Sequence, residues 1–171
     1  IVMADSLFKV GVLGATGFIG SPYRAEIREC KEAEIVALCA RRQDLLAKAA
    51  REDQAKVATQ DWREVVEHPD VNLVIVGTPD ALHHEAVVAC AAQGKHLLCE
   101  KPVGMNATEA EEMWGLYRDA QPALAHFVPF WTRMVGVFEI AKDIVGSGEL
   151  GKIVSTVFRW QNPRPATMPL T

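Results

Sequence analysis

The 171-residue sequence has no apolar run approaching the ~18 residues that a membrane-crossing helix needs; its longest is Ala86 to Ala92. A membrane span is therefore not expected. Nor does it carry a long block of one charge, since 22 Asp and Glu stand against 18 Lys and Arg, a formal net charge of −4. Nothing in that pattern would follow a phosphodiester backbone, and nucleic acid is not an expected partner. Cysteine is sparse: Cys30, Cys39, Cys90 and Cys99 form no Cys-x-x-Cys. Set inside apolar stretches, they read as buried small hydrophobic residues rather than a disulfide framework or a metal site. Residues Ile1 to Ser6 lack the basic and apolar regions of a secretory leader, and Met3 reads as the native initiator, which points to a cytoplasmic protein. Repeats and low-complexity tracts are absent too. With 49% hydrophobic and 23% charged residues, the chain has the composition of a folded globular protein, not of a disordered tail or a fibre.

What is present is an alternation. Short apolar segments at Phe8 to Leu13, Glu34 to Cys39, Asn72 to Val76 and His96 to Cys99 read as buried strands. Stretches with helical spacing follow them, at Phe18 to Cys30, Asp44 to Glu52, Asp61 to Glu67 and Ala81 to Ala92. This order predicts right-handed βαβ crossovers and a parallel sheet covered on both faces, the doubly wound α/β class. Farther on, Asn106 with Glu109 three positions later is the signature of a capped helix running to about Asp119. Ala123 to Val128 reads as a strand, Arg133 to Val145 as a helix ended by Gly146 and Gly148, and Ile153 to Trp160 as a strand with one exposed face. The unpaired edge of that last strand predicts association into a homo-oligomer. Gln161 to Thr171, with three prolines, continues no periodicity.

The strongest local signal is the series Gly11, Gly14, Gly17 and Gly20, placed where the first strand meets the first helix. Glycine there lets the backbone approach a pyrophosphate and aims main-chain N–H groups at its charge, so Gly14, Ala15, Thr16, Gly17, Phe18 and Ile19 are candidate cofactor-binding residues. The alternative is a turn whose glycines serve only tight strand–helix packing. No Lys-Ser or Lys-Thr follows, which disfavours a P-loop. Pro22 is awkward inside a helix, and Ser21 is the expected cap of a helix restarting at Pro22. At the end of the second strand, where an NAD site places a carboxylate on the ribose, stand Arg41 and Arg42. Guanidinium groups pair with a 2′-phosphate, so NADP is the expected cofactor, with NAD possible.

Two further strands end in Gly77-Thr78-Pro79, followed by His83 and His84, and in Cys99-Glu100-Lys101-Pro102. Both clusters fall at carboxyl ends of strands, the edge where open parallel sheets bind ligands. Through Thr78-Pro79-x-x-x-His83, Gln93-Gly94-Lys95-His96 and Glu100-Lys101-Pro102, in order and spacing, the sequence resembles the Gfo/Idh/MocA family of NAD(P)-dependent oxidoreductases. The resemblance covers roughly Phe8 to Trp160 and includes Ser147-Gly148-Glu149-Leu150-Gly151-Lys152. It implies a Rossmann domain, set at residues 6–124, followed by a partial substrate and oligomerisation domain over 125–171. It also implies hydride transfer between a nicotinamide and a hydroxyl or carbonyl group of a sugar, cyclitol or related polyol. On this resemblance Lys101 hydrogen-bonds the reacting substrate oxygen and Glu100 steadies the cofactor and Lys101. Thr78 and Pro79 line the nicotinamide ribose, with His83 behind them, and Lys101-Pro102 is a candidate cis peptide. Arg133 falls where the family often has a substrate-contacting arginine, while Phe130 and Trp131 read as core or interface residues.

Other chemistries find less support. His84-Glu85 begins like a zinc-protease helix, but Val88 stands where the second histidine belongs, and no metal site is expected. Neither Tyr23 nor Tyr117 has a lysine four residues later, which removes short-chain dehydrogenase chemistry; Cys99 beside Glu100 remains a conceivable nucleophile. His68, His96 and His126 read as structural or solvated. The resemblance also implies a second-domain histidine that completes the acid–base pair, and no histidine follows Trp160. The second domain is therefore incomplete in these 171 residues, which are expected to bind cofactor but not to turn over by themselves. A non-catalytic NADP-binding regulatory or redox-sensing module is the alternative.

Overall fold

The computed structural model describes residues 7–159. The reading of Ile1 to Ser6, the end of the expected last strand at Trp160 and the proline-bearing stretch 161–171 lie outside the described residues. Strands and helices alternate as β1 (Phe8–Leu13), α1 (Gly20–Glu29), β2 (Ala33–Cys39), α2 (Gln43–Asp53), β3 (Val57–Thr59), α3 (Trp62–Val66), β4 (Leu73–Val76), α4 (His83–Ala92), β5 (His96–Cys99), α5 (Ala107–Arg118), β6 (His126–Phe127) and α6 (Gly136–Ser147). The six strands form one sheet in the order β3-β2-β1-β4-β5-β6, every neighbouring pair parallel. This is the expected doubly wound α/β arrangement, and the winding reverses between β1 and β4.

Valine, leucine and isoleucine dominate the central strands because both of their faces are covered. On one face Leu13, Val74, Val76, Leu97 and Cys99 pack with Val65, Val66, Val87 and Cys90 of the helices. On the other, Val10, Val12, Ile35, Leu38 and Ile75 meet Ile27, Leu46 and Ala49. Alternate residues of one strand therefore enter different cores, as the period of two requires. The strand β3 does not stand out in the sequence as an apolar segment. It has three residues, none of them buried, and sits at the sheet edge, too short to register as a hydrophobic run.

Three expectations about local structure are corrected. The helix α1 does not restart at Pro22; it is continuous from Gly20, and Pro22 occupies its first turn, where the missing N–H would have had no intrahelical acceptor. Residues Ile153–Arg159 form no strand, since a strand needs a hydrogen-bonded neighbour and none runs beside them among the described residues. Cys30 is exposed at the end of α1, unlike the three buried cysteines. By contrast the cap expected at α5 forms, with Glu109 also accepting the Met105 N–H at 2.9 Å. Asn106 Oδ1 accepts from the Glu109 N–H at 3.0 Å, and Glu109 Oε1 accepts from Asn106 Nδ2 at 3.1 Å.

The chain divides into two compact units after Pro129. The first holds the whole sheet. In the second, a short 3₁₀ turn at Trp131–Met134 precedes α6, which ends on Gly148 in the left-handed conformation, as its glycine predicts. None of the described residues of the second unit is buried, Phe130 and Trp131 included. No helix among the described residues is long and apolar enough to cross a membrane.

Candidate active site

Strand register builds the site. Leu13 lies opposite Cys39 on one side and Val76 on the other, and Val76 opposite Cys99. The residues that follow, Gly14, Ala40, Gly77 and Glu100, consequently leave four neighbouring strands at one level. Backbone bonds fix the row: Gly14 N–H donates to Cys39 O, Gly77 N–H to Leu13 O and Glu100 N–H to Val76 O, each at 3.0 Å. This edge lies where the strand order reverses, the place at which doubly wound sheets open a crevice.

The glycine turn crosses that crevice. Gly14 has φ of 78°, and a β-carbon on it would run into the Gly77 carbonyl; one on Gly20 would run into the Gly14 carbonyl. Close packing thus accounts for Gly14 and Gly20, but it does not use the donors of the turn. Among the described residues the main-chain N–H groups of Thr16, Phe18 and Ile19 have no acceptor. They are bundled at the N-terminus of α1, the arrangement that suits a pyrophosphate. Phe18, 81% exposed, stands out from the turn with an apolar ring.

Across the crevice, Thr78 Oγ1 is the one buried side-chain polar atom without a hydrogen-bond partner among the described residues. An unpaired buried hydroxyl costs about 1–3 kcal/mol, and a ligand hydroxyl would relieve it. Free amides on one wall and an orphan hydroxyl on the other fit a dinucleotide. His83, the first residue of α4, is fully buried beneath Thr78. Its ring nitrogens lie 2.9 Å from the Thr78 carbonyl and 3.0 Å from the Pro102 carbonyl, so the ring ties the loop after β4 to the loop after β5.

The second loop carries Glu100, Lys101 and Pro102, with a cis Lys101-Pro102 bond. Glu100 Oε2 accepts from the Lys101 main-chain N–H at 3.1 Å, and Oε1 accepts from the Tyr23 hydroxyl at 2.7 Å. The Lys101 side chain is exposed, and its ammonium has no partner among the described residues. Cys99, one position earlier, is buried, and burial pushes its thiol up to about 12. Burial of that kind favours the neutral thiol over the reactive thiolate.

Arg41 and Arg42 follow β2 and open α2. They are not equivalent. Arg42 is ion-paired with Asp44 at 2.8 Å, whereas the Arg41 guanidinium is exposed and unpaired and only its carbonyl is engaged, by Gln60. Arg133 belongs to the second unit. There its guanidinium lies 5.9 Å from the Phe130 ring, and it lines an open cleft of about 870 Å³ with Trp131 and Lys142.

Two contacts at this site were missed by reading the sequence. Arg24, on the buried face of α1, donates to the Ala15 carbonyl at 3.4 Å and is held by Asp53, whose side chain is 0% exposed, and by Glu52. Its spacing with Gly20 and Ile27 put a charge on an apolar face, a signal that a buried partner must exist. Tyr23 gave no such signal, because its partner lies 77 residues away.

The family described as oxidoreductase, NAD-binding Rossmann fold, matches residues 8–126. The chain belongs to this Gfo/Idh/MocA family. It is 35% identical over 112 residues to a levoglucosan dehydrogenase of Pseudarthrobacter phenanthrenivorans, a match covering 66% of this chain and 28% of that protein. It is 31% identical over 162 residues to a myo-inositol 2-dehydrogenase of Thermotoga maritima, covering 95% of this chain and 47% of the relative. A solved levoglucosan dehydrogenase, in complex with NADH and levoglucosan, superposes with a TM-score of 0.74 at 29% identity, over 86% of this chain and 41% of that one. The chain thus spans less than half the length of these relatives.

Proposed function

We propose that the chain is the cofactor-binding part of an NADP-preferring dehydrogenase that oxidises a hydroxyl, or reduces a carbonyl, of a sugar, cyclitol or related polyol. The observation that carries this reading is the single row of strand ends, with free amides of the glycine turn at one side and the unpaired Lys101 ammonium at the other. A bound nicotinamide would supply or accept the hydride. The N–H groups of Thr16, Phe18 and Ile19 hold the pyrophosphate, and Ala15, Gly14 and Gly17 bring the backbone close to it. Thr78 and Pro79 take the nicotinamide ribose, with the Thr78 hydroxyl gaining the partner it lacks. Lys101 hydrogen-bonds the substrate oxygen and handles its proton. Glu100 and the buried His83 fix the loop that presents Lys101. The carbohydrate and cyclitol names of the relatives support the substrate class. Arg133, beside aromatic rings in the second unit, is the candidate substrate contact.

NADP preference rests on Arg41 more than on Arg42, because Asp44 already neutralises Arg42. Calorimetric titration with NADPH and NADH tests it. NADPH should bind more tightly, and Arg41→Ala should weaken NADPH by about tenfold while leaving NADH within about twofold. Equal losses for both cofactors would remove the 2′-phosphate role. We also read the exposed apolar residues of α6, Val137, Ile140 and Ile144, as a self-association surface. A monomer mass by light scattering at working concentration would exclude it.

A further inference from the structure

Tyr23 lies one helical turn beyond the glycine turn, and its N–H donates to the Ile19 carbonyl at 3.3 Å. Its hydroxyl reaches Glu100 Oε1 at 2.7 Å, and the other oxygen of that carboxylate accepts the Lys101 N–H at 3.1 Å. A glutamate carboxylate held at one oxygen alone rotates easily about its last torsion, which has broad minima. Donors on both oxygens fix its plane. Burial and the adjacent Glu100 carboxylate push the Tyr23 phenol above its ordinary value, so it is a donor across the working pH range. The phenol, the carboxylate and the lysine amide therefore form a tether from the helix that carries the phosphate turn to the residue that faces substrate.

We propose that Tyr23 is a positioning residue for Lys101, acting through Glu100 to hold the loop after β5 in register with the N-terminal turn of α1. The proposal rests on the dehydrogenase reading for the role of Lys101, but the tether itself does not. Tyr23→Phe keeps the ring and its packing and removes only the hydroxyl. With that oxygen gone, Glu100 can turn away from the Lys101 amide.

The first measurement is amide–water exchange by NMR on the 171-residue protein. In Tyr23→Phe the Lys101 amide should exchange about fivefold faster, while strand amides such as those of Val12 and Val74 keep their rates. The second is a double-mutant cycle in the full-length parent enzyme. Tyr23→Phe should lower kcat about tenfold with the cofactor KM within about twofold. In Glu100→Ala, where the acceptor for both the Lys101 amide and the Tyr23 hydroxyl is lost, the same change should have almost no further effect. Unchanged exchange at Lys101 overturns the proposal whatever the enzyme does, as do kcat losses that multiply in the double variant. Faster Lys101 exchange beside a parent that turns over no polyol supports the tether and sinks the dehydrogenase reading instead.

Discussion

The two compact units spend their apolar residues in opposite ways. In the first, the valines and leucines of four central strands are enclosed from both sides, and every candidate cofactor contact hangs from that rigid frame. In the second, α6 is as regular a helix, with a glycine cap, yet Val137, Ile140 and Ile144 face outward and no described residue is buried. Helical spacing and a cap are thus enough to specify a helix. They do not specify what it packs against. The buried core lies in the first unit, and the described residues of the second present a surface.

That contrast can be broken in four ways. Leu38→Ala, at a position 0% exposed, should cost about 2–5 kcal/mol in chemical denaturation, by lost transfer energy plus the cavity left behind. A much smaller loss would mean that the sheet core is not what holds the fold. Alkaline pH should act next. Burial pushes the Cys39 thiol up to about 11 and those of Cys90 and Cys99 to about 12, against an ordinary value of 9.0. A folded-state pKa above the unfolded one contributes stability that is complete below pH 9 and is lost as pH rises toward 11 and 12. The buried Tyr117 phenol, also pushed up, has the same sign, and Lys95, lowered by burial, opposes it. Urea midpoints should therefore fall from about pH 9 upward, and Cys90→Ala should flatten the slope.

The smaller effects concern the second unit. A chain ending after Pro129 should keep its denaturation free energy within about 1 kcal/mol and its NADPH affinity within about twofold. A collapse of either would show that residues from 130 onward brace the sheet. Smallest of all, Ile140→Ala, at a position 61% exposed, should change stability by less than about 0.5 kcal/mol.

Most of the frame was legible because its signals are local. The apolar runs of β1, β2, β4 and β5, the capping pair Asn106 and Glu109, and the glycines at the end of β1 each announce themselves within a few residues. Pro22 misled because a proline is tolerated or disruptive according to its distance from the helix start, and a shift of two residues turns one case into the other. Ile153 to Arg159 misled because alternation describes one strand, while a strand exists only with a neighbour. At the site, Lys101 and Thr78 could be named from the chain, but neither the pairing of Arg42 with Asp44 nor the contact of Tyr23 with Glu100 could be. Competition between ion-pair partners and contacts across the sheet are decided in three dimensions.

The level row formed by residues 14, 40, 77 and 100 also bears on how such a chain can change over evolutionary time. Among the described residues no hydrogen bond joins residues 40–42 to the loop after β5, so residues after β2 can be exchanged, and cofactor choice altered, without disturbing the loop that presents Lys101. Insertions are a different matter. One extra residue inside β4 would advance Gly77 and Thr78 by about 3.3 Å and turn the Thr78 hydroxyl to the opposite face. At the amino-terminal edge of the sheet, by contrast, Gly94 between α4 and β5 turns in open space, where an added β-carbon would meet nothing. Length variation should accumulate there and be purged from the strands.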